Sequence, residues 1–196
     1  MYNSANNNAD GTIIKTYLCP ADPSLPSPAR EPNGFALASY AANGLALSQF
    51  SYGTVGDFMT AGIFSTTQLY LGGNRIPASW PDGTSNTILW TEKYGQCGPT
   101  GSGGQIQGTQ WADRYTLQAA PYIGYTPYYG TNGYFQIQPN PWQSRCTLMV
   151  ASTGHTAGIM AGLGDGSVRF VSQGMSTTTW WQAMVPNDGF PFGSDW

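Results

Sequence analysis

Gly158-Ile159-Met160-Ala161-Gly162-Leu163-Gly164, then Asp165-Gly166, then Ser167-Val168-Arg169-Phe170-Val171-Ser172 is the stretch whose reading decides the fold. Two runs rich in apolar and β-branched residues are separated by an Asp-Gly pair, the composition of a β-hairpin. Both turn residues tolerate positive φ, which the tight primed hairpin turn requires. Alternation along the second run sends Val168 and Phe170 to one side and Ser167, Arg169 and Val171 to the other. A hairpin at the end of the chain makes an antiparallel sheet the organising element.

Working outward, Thr177 or Thr178 caps a short helix through Trp180-Trp181-Gln182-Ala183-Met184, which Pro186 ends. Upstream, Thr87 to Tyr94 alternates well enough for a core strand after the dense turn signal Pro81 to Asn86. Phe135 to Gln138 reads as a strand stopped by Pro139 and Pro141. Ser39 to Gly44 reads as a strand ending in an Asn-Gly turn, and Ile13 to Leu18 as a short strand. Pro23, Pro26, Pro28 and Pro32 force an extended loop between those two. Phe50 to Leu71 carries no decisive pattern, Gly95 to Gly108 is a glycine-rich loop, and Trp111 to Tyr134 is aromatic and irregular. No internal repeat is evident. The expectation is one α+β domain over 1–196, mostly antiparallel sheet with long Gly/Pro/aromatic-rich loops, a short C-terminal helix and a flexible lead-in over 1–12.

Composition agrees with a folded, loop-rich domain. Aromatic residues are 14% of the chain, so apolar surface is plentiful and disorder is excluded. Charged residues are only 9%, against roughly 25% in an ordinary soluble domain, which leaves a polar but uncharged surface. The net charge is −3 with no basic cluster, so nucleic acid is excluded as a partner class. No apolar stretch approaches the ~20 residues of a membrane helix. The opening Met1-Tyr2-Asn3-Ser4 has no signal-peptide pattern, which by itself implies a cytoplasmic protein. Cys19, Cys97 and Cys146 fit no zinc-site spacing. Cys97 and Cys146 flank the Gly/Tyr-rich middle and are the candidate disulfide; three buried thiols are the alternative.

Five blocks occur in an order that carries a resemblance. They are Leu18-Cys19-Pro20-Ala21-Asp22-Pro23, Ser39-Tyr40-Ala41-Ala42-Asn43-Gly44, Asp82-Gly83-Thr84-Ser85-Asn86-Thr87-Ile88-Leu89, His155 followed after nine residues by Asp165-Gly166-Ser167-Val168-Arg169-Phe170, and Trp180 to Gly189. Together they resemble a large bacterial family of unknown function, expanded in planctomycete-type bacteria, with a prepilin-type processing-associated His-x9-Asp-Gly region. The blocks span the chain from about Lys15 to Trp196. The resemblance implies a pilin-like or pseudopilin-like globular head, exported to the periplasm, cell surface or medium. Family members carry a leader, a prepilin peptidase site and a long apolar helix that packs like subunits or secretion-system components into a filament; this sequence lacks that part. The family's relation to type II secretion pseudopilins also implies calcium in a C-terminal loop.

Candidate chemistry is sparse. His155 is the single histidine, and as base or metal ligand it needs Asp82, Glu92, Asp113 or Asp165 beside it. The plainer reading is that it orders the approach to the hairpin. Asp82 and Asp165 are the candidate calcium ligands, against two side-chain-stabilised turns. Glu92 and Asp113 are the carboxylate pair if the chain is a polysaccharide-active hydrolase, although Glu92 beside Lys93 reads as a paired surface charge. No Gly-x-Ser-x-Gly elbow, phosphate loop or dinucleotide fingerprint is present. Trp111, Tyr115, Tyr122, Tyr125, Tyr128, Tyr129, Tyr134 and Trp142 cluster where flat rings and Asn/Gln amides suit polysaccharide binding; the alternative is that they fill the core.

Overall fold

In a computed structural model, the described residues are 9–47, 75–98, 107–112, 122–123, 135–147, 150–190 and 192–196. The strands are β1 (Tyr40–Asn43), β2 (Ile88–Glu92), β3 (Gln96–Cys97), β4 (Gln107–Gly108), β5 (Tyr122–Ile123), β6 (Phe135–Ile137), β7 (Ala151–Thr153), β8 (Gly158–Leu163) and β9 (Val168–Ser172). Short helices α1 (Gly44–Leu47) and α2 (Trp142–Arg145) accompany a longer α3 (Thr177–Met184). The main sheet has five strands in the order β5-β1-β2-β8-β9, and only the β1–β5 pairing is parallel. Pairs β3–β4 and β6–β7 lie outside it. Among the described residues no helix is long and apolar enough to cross a membrane.

The hairpin β8–β9 forms, with Gly158 opposite Ser172 and Gly162 opposite Val168, a register one residue away from the one a two-residue Asp165-Gly166 turn would set. Its turn differs from the primed type. Of the turn residues only Gly166 has positive φ, at 87°. The Gly166 N–H donates to the Leu163 carbonyl and the Leu163 N–H to the Ser167 carbonyl. That is a three-residue loop closed by a left-handed glycine. Asp165 keeps negative φ because its carboxylate accepts both the N–H (2.9 Å) and the hydroxyl (2.6 Å) of Ser167.

One face of the sheet makes the core. Ile88, Ala161, Ile159, Leu163 and Val171 pack with Trp180, Ala183 and Met184 of α3. Trp180 meets the Phe135 ring at 4.9 Å between centroids, joining β6 to this core. Ser176, not Thr177 or Thr178, caps α3: its side chain accepts the Thr179 N–H at 3.1 Å. On the other face Trp90, Met160, Val168 and Phe170 remain exposed, and a register shift between Ile88 and Trp90 lets these two take opposite faces.

Two sequence expectations are corrected near the start. The run Ile13 to Leu18 is no strand; it forms a 3-10 turn over Lys15–Tyr17, closed by Tyr17 and Leu18 N–H groups donating back to Ile14 and Lys15 carbonyls. The run has β propensity but, among the described residues, no neighbouring strand to pair with, and propensity without a partner decides little. At Asn43-Gly44 the chain enters α1 instead of a tight turn. Asn43 is fully buried, its amide donating to the Ile88 and Met184 carbonyls (both 2.7 Å) while its oxygen accepts the Leu45 N–H (2.9 Å). One side chain thereby ties β1, β2 and α3.

Cys97 and Cys146 are joined in a disulfide, and Cys19 is a buried free thiol. Tyr94 and Trp142 pack around the bridge.

Candidate functional site

The site is built where three distant segments meet at the end of β2. Glu92 leaves the strand with its side chain only 4% exposed. One carboxylate oxygen, Oε2, accepts the Met160 N–H from β8 at 3.1 Å, which fixes the carboxylate plane. The other, Oε1, receives the Cys19 thiol at 3.6 Å and lies 3.1 Å from His155 Nε2. Sulfur, carboxylate oxygen and ring nitrogen all lie within 4.8 Å of one another. Among the described residues this is the one group of three or more His, Cys, Asp and Glu side chains placed so closely.

Each member has a supporting contact. Cys19 sits in the turn that opens the Pro-rich loop, closed by the Asp22 N–H donating to its carbonyl, with the Ala21 backbone beside its sulfur. Tyr40, the first residue of β1, stands beside the same sulfur. Burial, chiefly, and the Glu92 charge push the Cys19 thiol above its ordinary value. The same two influences, with the Cys19 sulfur, raise the Tyr40 phenol. His155 follows β7, its backbone N–H donating to the Thr153 hydroxyl at 3.1 Å, and its side chain is 45% exposed. The cluster is therefore open on the histidine side and closed on the cysteine side.

A second anchor stands beside it. Asp22 accepts the Ser24 N–H and hydroxyl on one oxygen, and the Ser39 hydroxyl and Gly95 N–H on the other, at 2.6–2.9 Å. The Cys19-to-Pro23 block is thus tied to the segments flanking β1 and β2. Asp22 and Asn43 were not singled out in the sequence, and neither were Cys19 and Tyr40 as partners of Glu92. All four stand inside the first two motif blocks, and that is the signal that pointed to them.

Glu92 and Lys93 are not a surface pair. Both are buried, and the side chain that meets the Glu92 carboxylate is His155. Of the partners considered for His155, the fold selects Glu92. Asp165 is exposed, and its hydrogen bonds from Ser167 hold its carboxyl below the ordinary value. Asp82 accepts the Gly189 N–H at 3.3 Å and lies by Asp188, whose carboxyl is raised by burial and by the Asp82 charge. Trp111 is half-buried, donating its indole N–H to the Thr12 carbonyl and meeting Tyr17 edge-on at 6.3 Å. Trp142 packs by the disulfide. Asp113, Tyr115, Tyr125, Tyr128, Tyr129 and Tyr134 lie outside the described residues, as does the side chain of Tyr122.

These features define an α+β domain whose antiparallel sheet ends in a hairpin and a capped helix, with a Cys-Glu-His cluster where its sequence blocks converge. Residues 1–177 match the family described as Protein of unknown function (DUF1559), and the chain belongs to that family. No curated protein and no solved structure matches it.

Proposed function

We propose that this chain is the globular head of an extracytoplasmic, pilin-like structural or surface protein. The observation that carries the proposal is the Cys97–Cys146 disulfide. Structural disulfides belong to oxidising compartments and are rare where thiols are kept reduced. The use of the motif residues supports a structural role. Asp22 and Asn43 spend their hydrogen bonds joining separate segments, which makes a rigid head. Cell fractionation tests the proposal: the native protein should be recovered from the envelope or sheared-filament fraction and be cleaved by protease added to intact cells. Recovery in the cytosol, protected from protease, refutes it.

Polysaccharide binding by the aromatic surface has one observation in its favour. Tyr17 is 43% exposed and sits against the half-buried Trp111. Affinity electrophoresis on soluble glycans tests this: retardation that Tyr17→Ala and Trp111→Ala abolish supports it, and unretarded migration on all glycans ends it.

A further inference from the structure

We propose that Cys19 Sγ, Glu92 Oε1 and His155 Nε2 form a three-ligand site for a zinc-class divalent cation, with the fourth position facing solvent beside His155. The spacing is the first support. Tetrahedral zinc, with bonds of about 2.3 Å to sulfur and about 2.0–2.2 Å to nitrogen and oxygen, separates sulfur from oxygen by about 3.6 Å and nitrogen from oxygen by about 3.4 Å. The cluster has 3.6 Å and 3.1 Å on those edges. The third edge, sulfur to nitrogen, lies within 4.8 Å and would close toward about 3.6 Å around an ion.

The donor set is the second support. Thiolate, imidazole and carboxylate together suit zinc, whereas calcium and magnesium take oxygen ligands alone. The third support is the surrounding shell. Met160 N–H orients Glu92, and the Ala21 backbone and Tyr40 stand beside the sulfur. Such outer contacts orient first ligands and are needed for affinity. A nucleophilic Cys-His pair is the rival reading of the same three residues. It is disfavoured because Cys19 is only 6% exposed, which closes its sulfur to an incoming substrate. On binding, the Cys19 proton leaves to buffer and the sulfur–metal bond replaces the S–H bond; the Nε2 proton that faces Glu92 moves to Nδ1 or to buffer, and the freed Nε2 lone pair goes to the metal. No electron transfer is involved. Three protein ligands and one open position are the pattern of catalytic or substrate-binding zinc.

The test uses the full chain, stripped with chelator and titrated with Co2+ and then Zn2+. Wild type should take up one equivalent of Co2+ with tetrahedral visible bands and a near-ultraviolet thiolate-to-cobalt charge-transfer band. Zn2+ should displace it, and excess Ca2+ should not. Cys19→Ser should lose the charge-transfer band. His155→Gln, an exposed position that should leave folding intact, should weaken Zn2+ at least roughly tenfold, the scale on which even outer contacts matter. The proposal is overturned if wild type shows no charge-transfer band, if Ca2+ displaces Co2+, or if folded His155→Gln binds Zn2+ as tightly as wild type.

Discussion

Lys93 provides a test of the core that pH alone can run. The side chain is 1% exposed, and burial pulls its ammonium from the ordinary 10.5 to about 7. Between those values the unfolded chain holds a proton that the folded chain has released. Unfolding then takes up a proton, so stability rises with pH across that window and is flat below it. Integrating the linkage for one group between pH 7 and pH 8.5 gives about 2 kcal/mol. With a urea slope of about 2 kcal/mol per molar, the midpoint should move up by about 1 M. The range stops short of the groups that act oppositely. Cys19 and Tyr40 are raised, and Tyr94 is pushed up to about 12, chiefly by burial. In each the unfolded chain loses its proton first, so stability falls with pH, beginning near the ordinary thiol value of 9.0. Urea titrations at pH 7 and pH 8.5, followed by tryptophan fluorescence, read the effect. Lys93→Met should abolish the rise. A wild-type midpoint that stays level or falls, or a rise that survives in Lys93→Met, refutes the reasoning.

Other outcomes follow from single contacts. Asn43→Ala leaves two buried carbonyls and the Leu45 N–H without their side-chain partner, and should cost about 2–4 kcal/mol in urea unfolding. A loss below about 1 kcal/mol would mean that Asn43 does not tie the three elements. Replacing Cys97 and Cys146 by Ser opens a loop with a sequence separation of 49, worth about 4 kcal/mol on the chain-entropy estimate. A stability equal to that of the oxidised wild type would contradict it. Ser176→Ala removes the α3 cap and should cost about 1 kcal/mol in thermal unfolding, with Ser176→Asp retaining most of the stability. Equal losses in both variants would show that the cap oxygen is not what matters.

What was legible in the sequence was local. Asp165-Gly166 between two β-type runs sufficed for the hairpin, and alternation sufficed for β2 and β6, because strand period and turn chemistry act within a few residues. Ile13 to Leu18 had the composition of a strand and lacked a neighbour, which no local pattern reveals. The site was only half legible. His155 and Glu92 were nominated separately, and their meeting depends on β2 and β8 lying side by side. Cys19 and Glu92 are 73 residues apart in sequence, so their contact is a product of sheet order and not of spacing. Asp22 is an acceptor from four donors, yet in sequence it is one more residue in a proline-rich turn. The blocks did mark these positions in advance, without saying which residues would touch.

The central proposal is an exported head, and it rests on the bridge between Cys97 and Cys146 with Cys19 kept as a thiol beside Glu92 and His155. Thiol mapping of protein isolated from its native cells under alkylation tests it most directly. The account predicts a linked peptide pair carrying Cys97 and Cys146 and an alkylated Cys19 once the protein is denatured. Native protein in which all three cysteines are alkylated without reduction would contradict it.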